Sequence, residues 1–427
     1  MVSDDFRVEV IGHACLRVQA RGYTLLTDPW LVGTIGSNLA GLFPPPAHDP
    51  VTVAAETDAI FLSHDHPDHL NPATLTLFRK DTPVYIGRHD HPGLRDAVRA
   101  LGFDPIEVPF GRAIGVAGTP FEIVVVQHEE TERDAFDSAL VVRAPQFTLF
   151  ENNDCHLGVE TLARVGAEHR PDYAFLGYSP ASFFPINFEL DAAERERWLA
   201  DAAERKYAAF VAAARAIQAR LTVPFASSMR FLRTDALWKN VLFNSATEAL
   251  TRVEDAGLRG AVMGPGDRIT RDGAVIAASM PLDRAEELVA IAAHASQEQP
   301  RLLAAVPAES PVHDDLVDRL CRHVLACWAA TLAKDPEAER PLIAYRITGA
   351  VAVECYFDFR RPPNDVFQMG RPLAYDMRYS YSASQLQQVL DGITDWEALH
   401  FLGDVSIHQV RYASGFDRML RAGRRLP

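Results

Sequence analysis

The chain has 427 residues, of which 48% are hydrophobic and 23% are charged, and its formal net charge at pH 7 is −15. This composition is typical of a globular protein of two or three domains and excludes a fibrous or largely disordered chain. The acidic balance disfavours binding to nucleic acid or to an anionic membrane, because both need a basic face. With five scattered cysteines, no signal-peptide pattern and no membrane-length apolar run, we expect a cytoplasmic protein without membrane insertion.

The first two thirds of the sequence alternate between predicted strands and helices. Residues 7–30 predict strands, and a Gly- and Pro-rich loop follows at 31–56. Further strands are predicted at 59–62, 84–86, 122–126, 139–142, 147–150, 174–176, 221–223 and 261–263, and helices near 93–101, 190–219, 246–256 and 283–297. This alternation predicts an α/β domain over residues 1–298, in which helices cover sheets.

The sequence pattern changes near residue 298. Residues 297–300 and 306–311 are typical of a linker. A helix is predicted over 313–333, followed by strands near 342–348, 350–359 and 373–379 and helices over 384–390 and 396–401. We therefore predict a smaller α+β domain at residues 299–427, which could form a substrate pocket, a lid or a homodimer interface.

The strongest chemical pattern is SHDHPDH at residues 63–69, directly after the predicted strand 59–62. It places three imidazoles and two carboxylates within six residues, at the carboxyl end of a strand, where sites in α/β sheets form. Imidazole and carboxylate together suit zinc, iron or manganese. A polar loop with surface histidines is the alternative, and the density of the cluster disfavours it.

This pattern resembles that of the metallo-β-lactamase superfamily, which implies an αββα sandwich with a dinuclear metal site. The resemblance implies a set of ligands in which the first metal takes His64, His66 and His128, the second takes Asp68 and His69, and Asp154 bridges the two. Each later assignment has an alternative. His128 could be a hydrogen-bonded surface residue, and Asp154 could cap a helix that begins near Leu157.

The sequence departs from the superfamily pattern at the last histidine, because residues 224–230 contain none. Water, Asp267 or His13 could complete the second metal site, or that site could be weakly held. His13 could equally support a ligand from behind. His13, Arg230, Arg233 and Asp267 are the candidate substrate-binding residues.

Several shorter segments resemble the branch that includes the metallo-β-lactamase-like part of CMP-N-acetylneuraminate hydroxylase. They are TDPW at 27–30, NDC at 153–155, VPFAS at 223–227 and GPGD at 264–267. No Rieske domain accompanies them in this sequence. The same broad group contains two hydrolases, N-acyl-phosphatidylethanolamine phospholipase D and the ascorbate-phosphate lactonases. Residues 386–403 faintly resemble a sterol-carrier-like module, which would place Trp396 and Phe401 beside an apolar pocket, although ordinary packing is the favoured explanation for them.

Three functions are compatible with these residues. The first is a metallohydrolase with two divalent ions, zinc favoured over iron, whose metal-bound hydroxide attacks a small ester, lactone, amide or phosphodiester. In it, Asp154 orients the hydroxide and Asp68 is a candidate base. The second is a diiron oxygenase acting on a small or nucleotide-sugar-like substrate, with a separate electron-donor protein. The third is a non-catalytic metal-dependent binding protein.

Overall fold

The structure is a computed structural model. It describes residues 6–36, 38–129, 137–270, 272–278, 282–304, 312–392, 396–403, 405–410 and 419. The chain divides into two compact units. The first comprises residues 1–35, 41–180 and 201–297, and the second comprises residues 36–40, 181–200 and 298–427.

The described residues contain the following strands in chain order: β1 (Arg7–Gly12), β2 (Cys15–Ala20), β3 (Tyr23–Thr27), β4 (Ala40–Leu42), β5 (Ala59–Leu62), β6 (Val84–Gly87), β7 (Pro105–Val108), β8 (Ala113–Gly115), β9 (Glu122–Gln127), β10 (Ser138–Ala144), β11 (Phe147–Glu151), β12 (Tyr173–Gly177), β13 (Leu221–Phe225), β14 (Met229–Phe231), β15 (Arg268–Ile269), β16 (Val275–Ile276), β17 (Leu342–Thr348), β18 (Val353–Asp358), β19 (Phe367–Met369), β20 (Met377–Ser382) and β21 (Ser406–Gln409). The α-helices are α1 (Pro50–Ala55), α2 (Pro72–Leu75), α3 (Gly93–Ala100), α4 (Val159–His169), α5 (Ala192–Ile217), α6 (Ala246–Asp255), α7 (Arg284–Ala304), α8 (Asp314–Lys334), α9 (Ala383–Leu390) and α10 (Trp396–Leu402). Short 3-10 helices span Thr234–Leu242 and Pro363–Asp365.

Two sheets face each other in the first unit. One has the strand order β16-β15-β1-β2-β3-β5-β6-β7 and the other the order β13-β12-β11-β10-β9-β8. Strand β5 is buried on both faces. Phe61 packs in the core between the sheets, whereas Ile60 and Leu62 pack in the outer core beneath α1, α2 and α3. The second sheet is covered in the same way by α4, α6 and residues 210–217 of α5. The predicted αββα sandwich is confirmed, and continuous apolar strands are what a sheet covered on both faces requires.

The strand directions bring several loops to one edge of the sandwich. Strands β3 and β5 are parallel, so Asp28 and residues 63–69, which we call the motif loop, leave the sheet at the same end. In the second sheet, β9 and β10 form an antiparallel ladder in which Gln127 is opposite Ser138. In the same sheet, β11 pairs in parallel with β12, and Asp154 lies in the loop that follows β11.

The second unit is built on a sheet with the order β19-β18-β17-β20-β21. Helices α8, α9 and α10 contribute to its core. Residues 181–200 group with this unit because Phe183, Phe184 and Phe188 pack into the same core, and Phe188 forms a β-bridge with Ile407. The sequence predicted a single division between residues 298 and 299, whereas the structure also places residues 36–40 and 181–200 in the second unit. Such a long-range association leaves no local pattern in the sequence. The resemblance to a sterol carrier and the roles suggested for this unit stay predictions.

Two local predictions differ from the structure. Residues 297–300, predicted as a linker, lie inside α7, where Leu302 and Ala295 are buried. The predicted strand 261–263 is reduced to one bridge between Thr222 and Gly260. The strands that were not predicted are β4, β7, β8, β14, β15, β16, β19 and β21. The second predicted linker, 306–311, lies outside the described residues. Within the described part of the chain, no helix combines the length and apolarity needed to cross a membrane.

Candidate metal centre

The motif loop is a tight turn that directs its side chains back to the sheet edge. The N–H groups of His69 and Leu70 both donate to the carbonyl of His66, at 3.0 and 2.8 Å. His64 and His69 are buried, and His66 is partly exposed. Among the described residues, the histidines and aspartates at this edge form three groups, each with two imidazoles and one carboxylate whose ligand atoms lie within 4.8 Å of one another.

The first group contains His64, His66 and Asp137. His64 Nε2 lies 2.9 Å from His66 Nδ1, and His64 Nδ1 lies 3.6 Å from Asp137 Oδ1. Asp137 immediately precedes β10 and is buried. It was not predicted from the sequence.

The second group contains His64, His69 and Asp154. Asp154 Oδ2 lies 3.9 Å from His64 Nε2 and 3.6 Å from His69 Nε2. The structure therefore places Asp154 between two imidazoles of the motif loop, where the sequence predicted a bridging carboxylate. Its role as a bridge stays a prediction.

The third group contains His13, Asp68 and His69. His13 Nε2 lies 3.1 Å from Asp68 Oδ2, and His69 Nε2 lies 3.8 Å from the same oxygen. His13 occupies the turn between β1 and β2 with a positive φ of 43°. Its Nδ1 accepts a hydrogen bond from Ser228 N–H, at 3.2 Å. His13 thus lies beside Asp68 and His69, and its role in completing the second metal site stays a prediction.

Asp28 holds the motif loop from behind. Its buried carboxylate accepts hydrogen bonds from Ser63 N–H at 2.7 Å, Ser63 Oγ–H at 2.6 Å and the Asn153 amide at 2.8 Å. It also lies 2.9 Å from His69 Nδ1, which donates to it. This bond fixes the tautomer of His69 and leaves Nε2 facing Asp68 and Asp154. A carboxylate behind a metal-binding histidine is a common supporting arrangement.

The donor atoms fit divalent metal ions. His69 Nε2 is buried and has no hydrogen-bond partner among the described residues, although two carboxylates lie within 4 Å of it. Such an atom is costly unless it is coordinated or solvated. A mixed imidazole and carboxylate set is suited to zinc, iron or manganese.

Electrostatics keep His64 and the two carboxylates in the protonation states that ligands need. Burial, reinforced by His69 and His66, lowers the pKa of His64 to about 3. Burial alone would raise the pKa of Asp154, but the imidazoles of His69, His64 and His66 hold that pKa well below its usual value. For Asp68, burial is likewise outweighed by His69 and His13, which lower its pKa. Burial alone would lower the pKa of His69, but Asp68 and Asp28 raise it well above its usual value. Metals bind neutral imidazole and ionised carboxylate, so His69 would release a proton on binding a metal, whereas His64, Asp68 and Asp154 are already in the required states.

His128 is placed beside Asp137 and outside the three groups. Its Nδ1 lies 3.8 Å from Asp137 Oδ2 and accepts a hydrogen bond from His156 N–H at 3.0 Å. The ladder of β9 and β10 explains this proximity, because Gln127 is opposite Ser138 and the next residues on either side must approach each other. That pairing is the signal that could have identified Asp137. His128 as a ligand stays a prediction.

The three other candidate substrate residues have structural partners. Asp267 accepts hydrogen bonds from Gly264 N–H, at 2.8 Å, and from Ala278 N–H. Buried Arg230 donates to the carbonyls of Ser227 and Met229, both at 2.8 Å, and pairs with Glu287. Arg233 forms a bidentate pair with Asp235, with both distances 2.7 Å. The structure does not include these three side chains in the donor groups, and their substrate contacts stay predictions.

Comparison with known proteins agrees with this geometry. A family model described as "Beta-lactamase superfamily domain" matches residues 7–144. A Mycobacterium tuberculosis protein named as a Rieske 2Fe-2S iron-sulfur protein is 26% identical over 208 residues, which is 47% of this chain and 39% of that protein. Cytidine monophosphate-N-acetylneuraminic acid hydroxylase of Asterias rubens is 33% identical over 91 residues, 21% of this chain and 14% of the hydroxylase. The chain thus spans well under half the length of these curated relatives.

Among solved structures, the diiron β-hydroxylase CmlA of Streptomyces venezuelae is similar, with 18% identity, a TM-score of 0.44 and coverage of 64% of this chain and 54% of that one. The family match covers β1 to β10, the motif loop and Asp137, and it ends before β11 and Asp154. Residues 7–144 therefore match a β-lactamase superfamily domain, and the αββα fold and the donor groups agree with that match.

Proposed function

We propose that this protein is an iron-dependent oxygenase that hydroxylates a small organic substrate at a dinuclear centre, with electrons from a separate donor protein. The observation that carries the proposal is the composition of the three donor groups, each of which has two imidazoles and one carboxylate. Two histidines and one carboxylate form the ligand set of many non-heme iron oxygenases. Asp137 lies beside His64 and His66, where its carboxylate is a harder ligand than a third imidazole would be. This set of ligands is therefore less selective for zinc than three imidazoles are.

The relatives support the same reading. The matched segments belong to a hydroxylase and to a protein named for an iron-sulfur centre. Both relatives are much longer than the segments that match this chain. Their activities, substrates and partners are therefore only proposed for this chain. A separate iron-sulfur protein is the class of electron donor that we propose.

The overall reaction balances with that donor. One substrate R–H, one O₂, two electrons and two protons give R–OH and one water. Bound iron would supply the O₂ and electron chemistry that protein side chains lack. His13, His64, His66, His69, Asp68, Asp137 and Asp154 are the residues that would hold the ions.

The chain's own residues position and charge the site. Asp28 fixes the ring orientation of His69 through Nδ1. Asp68 and Asp154 carry negative charge, because neighbouring imidazoles lower their pKa values. These carboxylates offset the charge of the ions at the exposed side of the site, where the Asp154 side chain is 35% accessible.

A metallohydrolase is the second candidate, and one observation favours it. Two histidines and a carboxylate also form catalytic zinc sites. Partly exposed Asp154 and Asp68 could each accept the proton of an attacking water, as the sequence predicted for Asp68. In this case the substrate would be a small ester, lactone, amide or phosphodiester.

Reconstitution separates the two candidates. Metal-free protein is loaded with iron or zinc, and O₂ uptake is followed with a ferredoxin and its reductase, beside hydrolysis of ester, lactone and phosphodiester libraries. If the protein is an oxygenase, the iron-loaded protein should take up O₂, and a His64→Ala variant should lose this uptake. An Asp58→Asn control should retain it, because Asp58 is exposed and accepts a hydrogen bond from Thr24 N–H. Hydrolysis by the zinc protein, without O₂ uptake by the iron protein, would overturn the proposal.

A further inference from the structure

A hydrogen bond to His128, the residue that directly follows β9, bears on its predicted role as a metal ligand. His128 Nδ1 accepts a hydrogen bond from the backbone N–H of His156, at 3.0 Å. An imidazolium carries hydrogen on both ring nitrogens and could not accept this bond. The ring of His128 is therefore neutral, and its single hydrogen lies on Nε2.

The opposite arrangement at His69 shows what this tautomer means for metal binding. His69 Nδ1 donates to Asp28, so its Nε2 can present a lone pair to an ion. In His128 the lone pair of Nδ1 faces the His156 N–H, and Nε2 carries the hydrogen. The hydrogen bond made by one ring nitrogen decides whether the other can bind a metal. While His128 keeps this bond, neither of its nitrogens can act as a ligand.

Glu129, the next residue, binds the same segment as His128 does. Its N–H donates to the carbonyl of His156 at 3.1 Å. Its carboxylate accepts hydrogen bonds from Gly158 N–H at 2.6 Å and from the Thr161 hydroxyl. Together with the bond to His128, these contacts join residues 128–129 to residues 156–161 in an arrangement that we call the clamp.

The clamp also caps helix α4. The N-cap residue of α4 is Gly158, which has no side chain to accept a hydrogen bond from the first turn. The carboxylate of Glu129 takes that place, and its negative charge is favourable at the N-terminus of a helix. A Cβ on Gly158 would lie 3.1 Å from Glu129 Oε2. The missing side chain at position 158 therefore lets the carboxylate approach the helix.

The loop that carries Asp154 lies between the clamp and the end of β11. Asp154 Oδ2 lies 3.9 Å from His64 Nε2 and 3.6 Å from His69 Nε2. On the side of β11, Cys155 N–H donates to the carbonyl of Asn152 at 2.8 Å and closes a turn around Asp154. On the other side the chain enters the clamp at residue 156. Movement of residues 156–158 would therefore move Asp154 relative to the two imidazoles.

We propose that His128 does not bind a metal ion, and that His128 and Glu129 are positioning residues that hold Asp154 in the metal centre through the clamp. This role replaces the ligand role that the sequence predicted for His128. It agrees with the position of His128 outside the three donor groups. The inference rests on the metal centre that both candidate functions share, and it holds for an oxygenase and for a hydrolase alike.

NMR of protein labelled with ¹⁵N-histidine tests the tautomer. The signals of His128 are identified by their loss in His128→Gln. They should show hydrogen on Nε2 both without metal and after loading with Zn²⁺. With ¹¹³Cd²⁺ as the probe, one-bond coupling between the metal and nitrogen should appear for His69 and not for His128. Coupling to His128, or hydrogen on its Nδ1, would overturn the proposal. The His69 signal reports on the metal centre separately, so a failure of the centre is distinguished from a failure of the clamp.

Zn²⁺ affinity tests the positioning. Glu129→Ala removes the carboxylate and should weaken Zn²⁺ binding about 10-fold or more, as expected for a residue that supports a ligand from behind. A glutamine can accept from Gly158 N–H and donate to the Thr161 hydroxyl, so Glu129→Gln should stay within about threefold of the wild type. Glu160→Ala is the matched control, because Glu160 is an exposed acid in the first turn of the same helix. It should leave Zn²⁺ affinity unchanged.

A double-mutant cycle tests whether the effect passes through Asp154. In an Asp154→Ala background, Glu129→Ala should change Zn²⁺ affinity by less than about twofold, because the side chain that the clamp positions is gone. Additive losses in the double variant, or equal losses in Glu129→Gln and Glu129→Ala, would refute the positioning role. If Glu129→Ala does not fold, Gly158→Ala replaces it, since its Cβ would crowd Glu129 Oε2 and should weaken Zn²⁺ binding in the same way.

Discussion

Asp28→Asn is the substitution with the most direct structural consequence. The wild-type carboxylate accepts four hydrogen bonds, from Ser63 N–H, Ser63 Oγ, His69 Nδ1 and Asn153 Nδ2, at distances of 2.6–2.9 Å. Asparagine keeps the shape and tolerates the positive φ of 33°, but its amide places N–H₂ where one oxygen accepted. At least one of these buried donors then meets another donor, and the negative charge behind His69 is lost.

The magnitude follows from these contacts. Each buried donor left without an acceptor costs about 1–3 kcal/mol, and donors that share one acceptor do not add fully. We therefore expect the free energy of unfolding of the metal-free protein to fall by about 2–4 kcal/mol. Because His69 loses its fixed tautomer, metal affinity should fall about 10–100-fold.

Urea unfolding in the presence of a chelator measures the first effect, and competition with a chromophoric metal chelator measures the second. Asp58→Asn is the matched control, since Asp58 is exposed and accepts from Thr24 N–H at the other end of β3. It should leave metal affinity unchanged. Wild-type metal affinity in Asp28→Asn would refute the claim that Asp28 orients His69.

Three further predictions concern the donor groups. His64→Ala combined with Asp154→Ala should remove most bound metal while circular dichroism stays close to that of the wild type, and unchanged metal content would show that the ligand assignment is wrong. Asp137→Ala should lower iron affinity more than His128→Ala does, because Asp137 lies within a donor group and His128 does not; the reverse order would contradict the grouping. Burial lowers the pKa of His64 to about 3 from 6.5, so the unfolded chain binds a proton there that the folded protein excludes. The folded protein therefore loses stability as pH falls from about 6.5 towards 3, by up to about 1.4 kcal/mol per pH unit. Urea unfolding of metal-free His64→Gln across that range should show a correspondingly smaller slope, and an unchanged slope would refute this origin.

The sandwich and the motif loop could be predicted because their signals are local. The apolar strand and SHDHPDH together span only the eleven residues 59–69, and strands β1–β3, β5, β6 and β9–β13 were predicted within a few residues of their observed bounds. The short strands β4, β7, β8 and β14–β16 were not predicted. Asp154 was also predicted, because it follows a recognisable strand. These features depend on contacts close in sequence or on strand order alone.

The remaining site residues depend on pairings that the sequence does not display. Asp137 lies near His64 because the start of β10 meets the motif loop, where Ser138 Oγ donates to the carbonyl of Ser63 at 2.9 Å. A single aspartate before a strand has no distinctive pattern. Arg230 suggested a substrate contact, but its partner Glu287 is 57 residues away. The association of residues 181–200 with the second unit has the same cause, since Phe188 meets a strand more than 200 residues later.

The metal content of the purified protein tests the central claim most directly. The protein is produced in cells supplied with both iron and zinc, and metals per chain are measured by element-resolved mass spectrometry. The account predicts about two irons per chain, with an absorption band that is lost on reduction. Zinc in place of iron would contradict the oxygenase and favour the hydrolase, and a chain without stoichiometric metal would contradict the metal centre itself.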